Sequence, residues 1–106
     1  MQTTTAKWHS VARDGSIPLR EGRRVQCGSR VIAVFNLGNK YLAMDNECPH
    51  KSGPLADGIV SGETVFCPLH NWQICMKSGQ ALSGGEGHVK TYPVRTQNGA
   101  IEISLT

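Results

Sequence analysis

Two short pairs of metal-binding residues constrain this chain more than any other feature. They are Cys48-x-His50 and Cys67-x-x-His70, with sixteen residues between His50 and Cys67. Pro49 and Pro68 follow the cysteines. Proline fixes φ and donates no hydrogen bond, so it helps hold each loop in one shape with Cys and His aimed at one centre. Gly53, Gly58 and Gly62 allow tight turns and close approach of backbone NH groups to sulfur, or serve as ordinary turn residues.

Two thiols and two imidazoles match the donor set of a [2Fe–2S] centre with Cys48 and Cys67 on one iron and His50 and His70 on the other. The charge count explains the donor choice. Two ferric ions and two sulfides sum to plus two, and four thiolates would bring the total to minus two. Two thiolates with two neutral imidazoles bring it to zero. A neutral centre accepts an electron more readily, with potentials of about −150 to +300 mV. The rival for these residues is a structural zinc site. Paired zinc ligands usually lie two to four residues apart, and the single residue between Cys48 and His50 is too tight for that pattern. Coincidence would have to produce both CPH and CPLH.

The chain has 106 residues, enough for one domain (1–106) with a polar, frayed start over residues 1–6. No apolar run approaches the about 18 residues that span a bilayer. The opening MQTTTAKWHSVARDG lacks the apolar core of a signal peptide, so the expected compartment is the cytoplasm, with no membrane partner. Net charge is +3 and the basic residues are scattered. Arg20, Arg23 and Arg24 are the densest group; without interleaved aromatics they argue against nucleic acid and read as a solvated turn, with partner docking as a second role. Cys27 and Cys75 are expected as free, buried thiols.

The periodicity is that of strands. They are expected at 7–12, 24–27, 30–36, 41–45, 63–67, 72–76, 90–95 and 100–105. The run RVIAVFN (30–36) is rich in β-branched and aromatic residues, as a central strand is. Leu37-Gly38-Asn39-Lys40 and Asn98-Gly99 signal hairpins. In the last strand Ile101, Ile103 and Leu105 alternate with Glu102 and Ser104, which predicts one buried and one wet face. His9 reads as a surface residue and SGGEG (83–87) as a flexible loop. Helix is expected only as a short turn. The class is all-β, an antiparallel sandwich or partly open barrel with two cluster-binding loops. No nucleotide fingerprint or catalytic constellation stands out, so no independent catalytic site is expected.

The ligand pairs on such a scaffold resemble the Rieske domain superfamily, from Trp8 to Leu105. More narrowly, CPHKSGPLADGIVSG, CPLHNW, SGQAL and HVKTYPVR resemble the small subunit of assimilatory NAD(P)H-dependent nitrite reductase. That resemblance implies an accessory redox subunit carrying a [2Fe–2S] cluster. Its partner would be a large subunit that binds NAD(P)H, FAD and sirohaem and reduces nitrite to ammonia. Respiratory Rieske proteins carry an extra disulfide at positions matching Gly53 and Leu69, which excludes that bridge here. They place sulfur-directed Ser and Tyr donors at positions matching Trp72 and Ile74. Their loss implies a potential toward the lower part of the range. Asn71 stands where the resemblance implies Gly. Two alternatives stay open: a free-standing Rieske ferredoxin supplying a ring-hydroxylating dioxygenase, and a zinc-binding module.

Overall fold

The computed structural model describes residues 8–48, 53–69, 72–83 and 87–105. Pro49, His50, His70, Asn71, residues 1–6 and most of the SGGEG loop lie outside them.

The organising element is the apolar run expected as a central strand. It forms β3 (Arg30–Asn36), in a four-stranded antiparallel sheet with β2 (Gly22–Cys27), β4 (Tyr41–Asp45) and β9 (Thr91–Tyr92), in the order β2-β3-β4-β9. Its apolar character is unbroken because both faces are covered. Ile32 and Val34, with Ala43, pack on Ile17, Ile101 and Ile103; Ala33 and Phe35, with Met44, pack on Leu55, Val65, Ile74, Cys48 and Cys67. Successive side chains on a strand point to opposite faces, so a strand buried on both sides cannot show polar alternation.

One covering layer is the sheet β1-β11-β10, made of β1 (Trp8–Arg13), β10 (Val94–Gln97) and β11 (Ala100–Ser104). Asn98 and Gly99 close its hairpin with φ of 53° and 79°, the double positive φ that an Asn-Gly turn supplies. The other layer is β5-β6-β7-β8, made of β5 (Ile59–Ser61), β6 (Thr64–Phe66), β7 (Gln73–Cys75) and β8 (Ala81–Ser83). A 3₁₀ turn over Leu55–Asp57 leads into β5. All strand pairs are antiparallel and no described helix is long and apolar enough to cross a membrane.

The fold class is as expected; several details differ. The strand expected over 90–95 is two. β9 belongs to the central sheet and β10 to the outer one, and the chain crosses between them at Pro93, which has no N–H to place in a ladder. β5 and β8 are two further strands, each three residues long, beyond those the periodicity predicts. Ser104, expected on a wet face, is 1% exposed, because β11 is the middle strand of its sheet and Ser104 sits opposite Trp8. His9 is half-buried in β1 rather than on the surface.

Candidate metal centre

Each cysteine opens a loop closed in the same way. The amide of Cys48 donates to the carbonyl of Gly53 at 3.0 Å, and that of Cys67 donates to the carbonyl of Trp72 at 2.7 Å. Each bond returns to the residue five positions on, so both expected histidines lie within a loop pinned at its base. The first loop has a second anchor. Buried Asn46 donates its amide to Val31, accepts at its carbonyl from the Leu55 amide at 2.8 Å, and accepts at its side-chain oxygen from the Ala56 amide at 2.8 Å. A bridge between Glu47 and Pro54 completes the join. Asn46 therefore fastens the strand before Cys48 to the 3₁₀ turn after Gly53. Its sequence signal was only a polar residue before a ligand, which is not distinctive.

Cys48 and Cys67 are 2% and 0% exposed and belong to one apolar cluster with Ile74, Val65 and Met44. The loops touch at Gly53: a Cβ built there would stand 2.6 Å from the Cys67 sulfur and 3.3 Å from Leu69 Cγ. The Leu69 amide donates toward Cys67 Sγ at 3.4 Å. Of the three loop glycines, then, one approaches a sulfur. Gly62 is a positive-φ turn between β5 and β6, and a Cβ at Gly58 would strike the Phe66 carbonyl at 2.4 Å. The described amide aimed at sulfur is that of Leu69, which the sequence did not single out.

No group of three or more His, Cys, Asp or Glu converges among the described residues; His50 and His70 lie outside them. The described half nevertheless fits a [2Fe–2S] group. Two buried thiols stand in an apolar setting, the space beside Cys67 Sγ would be lost to any side chain at position 53, and a backbone N–H faces the sulfur. Ile74, where a sulfur donor was expected to be missing, is fully buried in the same cluster, and Trp72 packs against it. Cys27 and Cys75 are both free thiols, Cys27 buried as expected and Cys75 half-buried. The Ser78 hydroxyl and amide beside Cys75 lower its pKa.

Below the first loop, Arg30 donates to Tyr92 Oη at 3.1 Å and Tyr92 donates to Asp45 at 2.6 Å. Burial and the Asp45 carboxylate push the Tyr92 hydroxyl up to about 12. Lys40 pairs with Glu63, tying the β3–β4 hairpin to the sheet that carries Cys67. A cleft of about 390 Å³ lies by Asp14, Asn36, Tyr41 and Arg95, and neither cysteine lines it.

A family model for the Rieske [2Fe-2S] domain matches residues 7–93. The 3-phenylpropionate/cinnamic acid dioxygenase ferredoxin subunit of Shigella flexneri serotype 5b is 36% identical over 91 residues, covering 84% of this chain and 85% of that one. Among solved structures, the ferredoxin of Sphingomonas yanoikuyae B1 superposes with a TM-score of 0.86 at 25% identity, over 94% of this chain and all of that one. A Mycobacterium tuberculosis chain, provisionally assigned as an NADH-dependent nitrite reductase small subunit, superposes at 0.88 with 21% identity, over 97% and 98% of the two chains. At that identity the likeness is one of fold.

Proposed function

The chain belongs to the Rieske [2Fe-2S] domain family, and from that premise we propose that it is the ferredoxin of a ring-hydroxylating dioxygenase, carrying electrons to a separate oxygenase. The observation that carries this reading is the 36% identity to a dioxygenase ferredoxin subunit over most of both chains. It reverses the order suggested by the local motifs, which favoured a nitrite reductase small subunit. Those flanks (KSGPL, GIVSG, HNW) still support the nitrite reductase assignment as a second reading.

In this reading Cys48 and Cys67 would hold one iron and His50 and His70 the other. When bound, a [2Fe–2S] cluster of this type takes up and releases single electrons. The chain's own residues set the conditions. The apolar neighbours of the cysteines exclude water from the sulfur side. The Leu69 amide offers a dipole that favours added negative charge on Cys67 Sγ. Asn46 and the two loop-closing amide bonds keep the loops from rearranging as charge changes. Pro68 and Leu69 stay exposed next to Cys67, leaving that edge open to a protein acceptor.

The test is reconstitution. The holo-chain is combined with a ring-hydroxylating oxygenase and its reductase, and separately with a sirohaem nitrite reductase large subunit. We expect oxygenase turnover to depend on the chain, and no stable complex with the sirohaem protein. Co-purification with the sirohaem subunit, with nitrite reduction dependent on the chain, would establish the second reading instead.

A further inference from the structure

Beside the first ligand loop lies a second cavity, about 340 Å³, lined by Arg24, Asn46, Pro54, Ala56 and Asp57. Three observations give it chemical character. Asn46 is 6% exposed, and its side-chain oxygen is committed to the Ala56 amide, which fixes the orientation of the carboxamide. Its NH₂ group has no hydrogen-bond acceptor among the described residues. A buried donor without an acceptor is costly, so the position calls for one to arrive. Arg24 sits opposite Ala33 in the β2–β3 register, on the face turned toward the ligand cysteines. No carboxylate of a described residue pairs with it, whereas neighbouring Arg23 is engaged by Glu21 at 3.1 Å.

The Arg24 guanidinium and the buried Asn46 side chain therefore line one cavity, and among the described residues its one carboxylate, Asp57, pairs with neither. Asp57 on the rim limits what can bind. With Arg24 it brings the local charge to zero, so a dianion such as a phosphate monoester is disfavoured. A single carboxylate can take the guanidinium and the carboxamide NH₂ together. Asn46 precedes Cys48 by two residues. Pro54, which lines the cavity, follows Gly53, where a Cβ would stand 3.3 Å from Leu69 on the exposed edge.

We propose that Arg24 and Asn46 form a notch for one Asp or Glu side chain of the protein with which this chain exchanges electrons. The notch registers the acceptor against the Cys48 loop. The inference rests on the electron-carrier reading above and adds where, and by what chemistry, the partner is held.

The experiment compares wild type, Arg24→Glu, Arg24→Lys and Arg13→Glu as holo-proteins with the oxygenase that the wild type reduces. Arg13, at the end of β1 in the outer sheet, supplies the same charge change outside the notch. We expect Arg24→Glu to raise the KM for this chain about tenfold with kcat unchanged, and Arg13→Glu to change it less than about twofold. In carbodiimide cross-linking, the amine introduced by Arg24→Lys should join an oxygenase Asp or Glu. Equal KM values for Arg24→Glu and Arg13→Glu, or cross-links that avoid position 24, would overturn the notch. If the wild type serves only the sirohaem subunit, the dioxygenase reading falls. The notch is then judged on the same Arg24→Glu to Arg13→Glu ratio with that subunit.

Discussion

Gly53 and Cys67 lie against each other: a β-carbon at position 53 would stand 2.6 Å from the Cys67 sulfur. This contact joins the loops that follow Cys48 and Cys67 at the depth of the thiols. Gly53 also accepts the amide bond that closes the first loop, so a shift of its backbone moves Cys48 as well.

Gly53→Ala should therefore disturb the centre more than the fold. The added methyl cannot be accommodated without displacing Cys67 Sγ or the loop, a strain of about 1–3 kcal/mol. We expect iron per chain to fall by more than half, with the far-ultraviolet circular dichroism spectrum unchanged. Full iron content in this variant would show that the loops separate easily.

Asn46→Ala removes the acceptor for the buried Ala56 amide. Leaving that donor unsatisfied should cost about 1–3 kcal/mol, measured by urea unfolding of the holo-protein. The backbone bonds of Asn46 to Val31 and Leu55 do not need the side chain. The loss should therefore be local, appearing first as faster hydrogen exchange around the 3₁₀ turn. A change below about 0.5 kcal/mol would mean that another group takes over the Ala56 amide.

The Tyr92 hydroxyl, pushed up to about 12 by burial and by Asp45, binds its proton more tightly folded than unfolded. Its contribution to stability is fully present below the ordinary tyrosine pKa of about 10 and is lost as pH rises from there toward about 12. Wild type should thus lose more stability than Tyr92→Phe between pH 9 and pH 11.5, compared by urea midpoints. Parallel losses in the two proteins would place the alkaline sensitivity elsewhere.

Ligation by His70 is tested by charge. His70→Cys replaces a neutral donor with a thiolate and makes the oxidised centre more negative. If iron is retained, the reduction potential should drop by roughly 100 mV or more, in line with the gap between mixed and all-cysteine centres. A redox titration followed by electron paramagnetic resonance measures it; an unchanged potential would remove His70 from the coordination sphere.

The residues that were legible in advance are those whose chemistry is local. A Cys–His pair is recognised by its donor types and spacing, wherever the rest of the chain lies. Asn98-Gly99 declares a hairpin because both residues tolerate positive φ. The run from Arg30 to Asn36 declares a strand because β-branched and aromatic side chains suit a pleated, covered surface. The local flanks of the Cys–His pairs favour one assignment and the identity along most of the chain supports another, because a short loop motif carries less information than a match over 91 residues.

The sequence by itself determined the donor set proposed for the metal, the all-β class, the central strand and the final hairpin, since each is encoded within a few neighbouring residues. Tertiary structure alone decided that Gly53 meets Cys67, that Asn46 fastens the first loop, that Pro93 carries the chain from one sheet to another, and that Ser104 is buried. These depend on which distant segments come to share a face or an edge. Burial and hydrogen-bond partnership belong to the packed assembly, and a polar residue such as Asn46 acquires its role only when a buried amide from another segment is brought to it.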